Sequence, residues 1–203
     1  MGTPQSIPAG AVLFRQSDAV RTLYLVTAGC VKLTCSDEAG RETLVALRLP
    51  GWLLGVAAAI VELPHPVTAE SIAPCEVRPI SVDGFRALQQ TNLAVVQWVQ
   101  RMQSREAYEQ VSQLGLLGGS DATLRLERLL VKLAQAGHAR RSDGSHQLTT
   151  HLRHDEIAQA IGSTRETVSR LLSRLERKGD LRRESGWLIF PKGRLAQASG
   201  LDD

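Results

Sequence analysis

The stretch from His154 to Leu172 constrains this chain more than any other. Ile157, Ala158 and Ile161 fall on the inner face of a short helix, and Gly162 follows where a left-handed turn needs no Cβ. Ser163 or Thr164 can cap a second helix, whose apolar face is Val168, Leu171 and Leu172. Ala158, Gly162 and Val168 stand four and six residues apart, the spacing of a helix-turn-helix, in which a small residue lets two helices cross closely and a glycine turns the chain. The outward residues of the second helix, Arg165, Glu166, Ser169 and Arg170, form one patch near its N-terminus, where a recognition helix presents base-reading side chains. Arginine suits the O6 and N7 acceptors of guanine, and glutamate suits the amino group of cytosine. The competing reading is a charged solvent face, with Arg165–Ser169 and Glu166–Arg170 as helical neighbours.

Downstream, a helix end at Glu176–Gly179 is followed by a strand, a tight turn at Ser185–Gly186 and a second strand over Trp187–Phe190, which is a wing. Arg182 and Arg183 beside that turn, with Ser163, Thr164 and Thr167 around the recognition helix, are candidates for contacts to phosphates, which position a protein but do not specify a sequence. A solvated turn is the alternative for the two arginines. Charge agrees with a polyanion partner at this end. Residues 1–118 carry nine Lys/Arg and ten Asp/Glu, whereas residues 119–203 carry fifteen and eleven.

The first ninety residues have a different grammar. Leu23–Val26 is apolar, Val31, Leu33 and Cys35 alternate with polar neighbours, and Val45, Leu47 and Leu49 alternate again. Turn residues at Ala28–Gly29, Asp37–Gly40, Pro50–Gly51, Pro64–Pro66 and Asp83–Gly84 separate the runs, so a closed or double-layered β domain is expected. From Asn92 to Leu117 the chain has no proline, and Leu93, Val96, Val99, Gln103, Ala107, Val111 and Leu114 make one helical stripe. Such a helix is either a dimerisation element or a helix lying across its own β domain. Gly118–Asp121 breaks it, Leu124–Leu133 starts another amphipathic helix, and His138–His146 reads as a polar, basic loop.

Several classes are excluded or disfavoured. The longest uncharged, mainly apolar run, Trp52–Val61, has ten residues, against the ~20 of a spanning helix. No secretory signal is visible, and Gly2 with Ser6 matches only a loose acylation pattern. Cys30, Cys35 and Cys75 are odd in number and lack metal-ligand spacing, which suits free thiols in a reducing cytoplasm. His146, His151 and His154 have no ligand set around them, so a surface cluster near DNA is expected and no metal. A cupin-like enzyme would need a histidine triad, but residues 1–90 contain His65 alone, so no enzyme is expected. A winged helix docking a protein is a third class, against which the Arg165, Glu166 and Arg170 patch argues.

The whole chain resembles the catabolite-activator and fumarate–nitrate regulator (Crp/Fnr) family of bacterial transcription factors, over roughly residues 7–195. The resemblance rests on Leu23-Tyr-Leu-Val-Thr-Ala-Gly-Cys-Val-Lys-Leu33, Glu38-Ala-Gly-Arg-Glu42, Pro50-Gly-Trp-Leu-Leu-Gly55 and Gly162-Ser-Thr-Arg-Glu-Thr-Val-Ser-Arg-Leu-Leu172. It implies an α+β chain: an N-terminal β-roll (jelly-roll, cupin-like) sensor domain over 1–90, a long dimerisation helix over 91–118 and a winged helix-turn-helix over 119–203. The family's extra N-terminal helix is expected to be missing or reduced. The implied partners are double-stranded DNA, RNA polymerase and a second copy of the chain. Arg165, Glu166 and Arg170 match readers of a TGTGA-like half-site, and Ser169 matches a reader of the branch that prefers TTGAT. Arg153 stands where the family usually has a Thr or Ser cap, so the first helix is expected to start differently.

The sensor departs from the family's cyclic-AMP pattern. Val56 replaces the ribose-binding Glu after Gly55, and Pro64-His-Pro-Val-Thr68 replaces the phosphate-binding Arg-Ser. A buried phosphate needs a charged partner, so cyclic AMP is not expected to gate the protein. An iron–sulfur member needs four cysteines, and Cys75 with His65 is a poor haem set, so no cofactor is expected. Gly55-Val56 and the Gly-Ser-Thr-Arg turn look closest to the cyanobacterial nitrogen-control branch, which senses 2-oxoglutarate and holds it with arginines. Gly55, Val56, His65 and Arg105 are therefore the candidate effector pocket. The alternative function is a β-roll small-molecule or redox/haem sensor whose winged helix acts only when ligand is bound.

Overall fold

Alternating apolar and polar residues build the N-terminal half, and the change to helical periodicity at residue 93 ends it. The computed structural model describes residues 2–117 and 121–192. In chain order the first half runs β1 (Gln5–Ile7), β2 (Val12–Phe14), β3 (Thr22–Ala28), β4 (Val31–Ser36), β5 (Glu42–Arg48), β6 (Leu53–Leu54), α1 (Val56–Val61), β7 (Thr68–Ser71), β8 (Cys75–Ser81), α2 (Val82–Thr91) and α3 (Leu93–Leu117). The strands form two four-stranded antiparallel sheets, ordered β1-β8-β3-β6 and β2-β7-β4-β5. Phe14, Val26, Val31, Leu54, Ala69 and Cys75 form one buried cluster. Each aliphatic chain buried in this way contributes about 1.5–3 kcal/mol.

Two helices interrupt the strand pattern read from the sequence. The apolar run after Gly55 closes into α1, whose ends turn at Gly55 (φ 82°) and Glu62 (φ 58°). Asp83–Gly84 is not a turn between strands but the first turn of α2, because the Ser81 hydroxyl accepts the Gly84 N–H and caps the helix. The first half of α3 then packs on the β domain. Val99 and Met102 are buried with Leu23, Leu53, Val56, Ala59, Ile80 and Phe85. Further along α3, Tyr108 and Val111 are exposed. Of the stripe read from the sequence, Val99 is buried against the β domain, whereas Leu93 and Val111 are exposed. Leu114 lies outside the described side chains.

The C-terminal half runs α4 (Ala122–Ala136), β9 (His138–Arg140), β10 (His146–Leu148), α5 (His154–Ala160), α6 (Arg165–Arg177), β11 (Arg182–Glu184) and β12 (Trp187–Phe190). Its sheet has the order β11-β12-β10-β9. The segment read as a basic loop is thus a hairpin, in which the Arg141 N–H donates to the Ser145 carbonyl and Gly144 turns the chain at φ 77°. Leu126, Leu130, Leu133, Leu148, Ile157, Val168, Leu172 and Leu181 form one core, and Leu47 and Ile72 of the β domain pack against it. Among the described residues no helix is long and apolar enough to cross a membrane.

Candidate nucleic-acid interface

Helices α5 and α6 are joined by a turn whose backbone and end groups are satisfied within the C-terminal module. Gly162 takes φ 58° between them, where a side chain would be strained. Arg125, on α4, donates from Nε to the Ile161 carbonyl at 2.7 Å and so satisfies an orphan acceptor at the end of α5. Thr164 caps α6, its hydroxyl accepting the Thr167 N–H at 3.2 Å. Val168, Leu171, Leu172 and Leu175 are the buried face of α6. The unusual Arg153 does not displace α5: the Glu156 carboxylate accepts the Arg153 N–H at 2.9 Å and starts the helix at His154.

The predicted readers share one face of α6. Glu166 and Arg170 are exposed, with no hydrogen bond or ion pair to another described residue. Arg165 is exposed and lies 3.8 Å from Asp155 of α5. Ser169 is half-buried, and its hydroxyl meets His154 Nδ1 at 2.8 Å. Partial burial lowers the His154 pKa, as do the Arg183 and Arg165 guanidiniums, with Asp155 and Glu176 opposing them. The sequence did not single out His154 for this contact, which joins the first residue of α5 to the second turn of α6.

Of the backbone candidates, Thr164 and Thr167 are tied to each other, hydroxyl to hydroxyl, at 3.1 Å, and Ser163 is half-buried in the turn. The wing turn has positive φ at both Ser185 (50°) and Gly186 (84°), the geometry that matches strand twist in a two-residue hairpin. A side chain at Gly186 would strike His151 Nε2 at 2.5 Å, so close packing requires the glycine. Arg182 pairs with Asp143 at 2.6 Å and with Glu184 at 3.0 Å. Arg183 reaches back to Glu176 and to the Ser173 hydroxyl on α6, which straps the wing to the recognition helix. The acid partners Asp143, Glu176 and Glu184 were not singled out from the sequence; Asp143 lies 39 positions from Arg182, whereas Glu184 is its near neighbour on β11.

Of the four candidate effector residues, Gly55, Val56 and His65 lie together in the β domain, and Arg105 is on α3. Gly55 touches His65: a Cβ at Gly55 would lie 2.9 Å from His65 Cε1. Val56 is buried in the core between the sensor and α3, and Arg105 is exposed on α3. His65 is 3% exposed, stacks on Phe14 with ring centroids 3.7 Å apart, and leaves Nδ1 without a partner among the described residues. Burial lowers its pKa, with Asp18 opposing, so the ring is biased to the neutral form that cannot pair with an anion. Arg48 is one of two buried cations of the β domain, with Lys32; it lies over the Trp52 ring at 4.3 Å and pairs with Glu106 of α3. Burial pushes the Cys30 thiol up to about 12, with Cys75 adding to the shift. His151 packs edge-on to Trp187 while His154 meets Ser169. No group of three or more metal-ligating side chains occurs among the described residues.

Residues 4–92 match the cyclic nucleotide-binding domain family, and residues 124–197 match the Crp-like helix-turn-helix domain. The chain is 31% identical to the anaerobic regulatory protein of Pasteurella multocida, over 86% of this chain and 63% of that one. It therefore spans less than two thirds of that relative's length. It is also 31% identical to the anaerobic regulatory protein of Aggregatibacter actinomycetemcomitans, over 86% and 67% of the two chains. The cAMP-activated global transcriptional regulator CRP of Escherichia coli O157:H7 is 28% identical, over 83% and 80%. Among solved structures, FixK2 from Bradyrhizobium japonicum superposes with a TM-score of 0.75 at 22% identity, with full coverage of both chains. With a sensor-type β-roll, a long helix and a winged helix-turn-helix in that order, the chain belongs to the Crp/Fnr family of transcription regulators.

Proposed function

We propose that this protein regulates transcription by binding a palindromic site on double-stranded DNA as a homodimer, without cyclic AMP. The observation that carries the reading is the exposed Arg165, Glu166 and Arg170 patch on a capped helix whose opposite face is fully packed. Such a helix loses little freedom on entering a major groove, and its side chains already point one way. Glu166 and Arg170 read the shared TGA-type core, and Arg165 adds a guanine contact, so the half-site contains GTGA. Exposed Tyr108 and Val111 on the free end of α3 supply apolar surface for a second copy. The two recognition helices then meet half-sites about one helical turn apart. Regulation in this form requires RNA polymerase as a further partner and a cytoplasmic setting.

Independence from cyclic AMP is supported by what stands at the two positions that would need charge. Val56 is buried in the core, and His65 stacks on Phe14 with its pKa lowered by burial. A cyclic phosphate brought there would lose its hydration without a cation to replace it. Selection from random duplexes should return a symmetric GTGA element, and millimolar cyclic AMP should give no heat in calorimetry and no change in DNA affinity. Recovery of no symmetric GTGA or TTGA element would sink the assignment of readers. A micromolar cyclic-AMP dissociation constant would sink the second half of the reading.

A further inference from the structure

Lys32 lies on β4 between Val31 and Leu33, which face the interior of the β-roll. Strand alternation therefore turns Lys32 outward, yet its side chain is only 9% exposed. What covers it is α5 of the DNA-reading module. The Lys32 ammonium donates to Glu156 Oε1 at 3.1 Å and lies 3.4 Å from Glu70 Oε1 on the neighbouring strand. Glu156 is the same residue whose other oxygen starts α5 by accepting the Arg153 N–H. A second bond lies alongside. β5 is an edge strand, and its Leu44 N–H donates to Gln159 Oε1, one turn along α5, at 2.6 Å. Leu47 and Ile72 complete the contact by packing on the module's core.

An ammonium and a carboxylate buried together are costly unless each has its partner, so this contact has one preferred register. Burial would lower the Lys32 pKa, but hydrogen bonds and charge from Glu156 and Glu70 raise it overall. Burial would likewise raise Glu156, but the Arg153 N–H and Lys32 hold it below the usual carboxylate range. Both groups are thus charged across the neutral range. Helix α6 packs on α5 through Val168 and Leu172 against Ile157, within one core. Wherever α5 is held, the readers Arg165, Glu166 and Arg170 are held with it.

We propose that Lys32 is a positioning residue for DNA recognition: it fixes α5 on the sensor sheet and so sets the distance and angle between the two recognition helices of the dimer. This rests on the reading of the chain as a dimeric DNA-binding protein. It assigns the sensor sheet a part in choosing the spacing between half-sites, separate from the choice of bases. Without the lysine, Glu156 still starts α5 and the readers keep their local geometry, but the module is free to shift on the sheet.

The test uses the full-length chain, with Lys32→Met and Lys32→Arg. Residue-resolved amide exchange of Leu44 reports docking, and the amides of Val26 and Val77 report the β-roll itself. Affinity is measured for palindromes whose spacer differs by one or two base pairs either way. Lys32→Met should speed Leu44 exchange at least tenfold, leave Val26 and Val77 protected, and cut the preference for the best spacer at least fivefold, with base preference within each half-site unchanged. Lys32→Arg should restore both. A protected Leu44 in Lys32→Met, a freed Leu44 with an unchanged spacer optimum, or loss of protection throughout the β-roll would each overturn the proposal. Failure of the wild-type chain to bind any palindrome would instead overturn the DNA-binding reading on which it stands.

Discussion

Replacing Asp143 with Asn should strengthen DNA binding, by an amount that the wing's charge count sets. Arg182 is bound by Asp143 at 2.6 Å and by Glu184 at 3.0 Å, while Glu184 also pairs with Arg141 at 2.8 Å. Two arginines and two carboxylates make each wing cluster neutral. Hydrogen bonds from the Ser145 hydroxyl and N–H, with Arg182 beside them, hold the Asp143 carboxyl far below the usual carboxylate range, so it keeps its charge at any working pH. An asparagine can still accept from Ser145 but leaves the cluster at +1. If Arg182 meets a phosphate, each wing then neutralises about one phosphate more. The slope of log affinity against log salt should steepen by ~0.9 per wing and ~1.8 per dimer. Over a fourfold dilution of salt, from 200 to 50 mM, that is a relative gain of ~3.5-fold per wing, or ~12-fold for two. Fluorescence anisotropy with one labelled duplex at four salt concentrations measures it, and Arg182→Ala should move the slope the opposite way. Folding stability should hardly change, since the cluster is exposed. Parallel salt plots for wild type, Asp143→Asn and Arg182→Ala would show that Arg182 is part of a solvated turn and not a phosphate contact.

Arg165→Ala should cost ~1–3 kcal/mol per half-site and relax preference at one base pair only, read by competition among singly substituted duplexes; a uniform loss across all of them would make Arg165 a backbone contact. Tyr108→Asp with Val111→Asp, both on the exposed end of α3, should give monomers in sedimentation velocity that bind DNA poorly, and unchanged dimers would place the interface elsewhere. The His65 pKa is lowered by burial, so the unfolded chain binds more protons than the folded one below pH ~6.5, and stability should fall as pH drops from there. His65→Phe keeps the stack on Phe14 and removes the titrating group, so urea midpoints between pH 6.5 and 5 should flatten relative to wild type; an unchanged slope would assign the acid sensitivity to other groups.

Local patterns carried most of the fold. The small–Gly–Val framework of residues 158–168 placed α5, the turn and α6 correctly, because packing and backbone conformation there are decided within ten residues. Strand alternation found β4 and β5, and a short apolar run found β3, for the same reason. The misreadings had local causes as well. Val56–Val61 is an apolar run too short to show its period, and it becomes α1 only because Gly55 and Glu62 can turn at positive φ. Asp83–Gly84 carries turn chemistry, but Ser81 uses that backbone as a helix start. The hairpin of β9 and β10 hides behind polar residues, since only Leu148 of β10 is fully buried in the module's core.

The candidate site was legible where residues act alone and illegible where they act in distant pairs. Arg165, Glu166 and Arg170 could be named from helical offsets, because exposure on one face needs no partner. Bonds that hold α5 and the wing in place come from far along the chain. Glu156 is met by Lys32 from 124 positions away, and Gln159 by Leu44 from 115. Arg182 is met by Asp143 across 39 positions. Each of these side chains, read locally, is an ordinary charge or amide on a strand, helix or turn. The fold changes their meaning by removing water from around Lys32 and Glu156, so that the attraction between them is little screened, while leaving Arg182 and Asp143 where salt still reaches them. Ionic strength should therefore tune the wing but not the contact between the sensor sheet and α5. On this argument the affinity of the protein for DNA is adjustable by its surroundings, whereas the geometry in which its readers are presented is not.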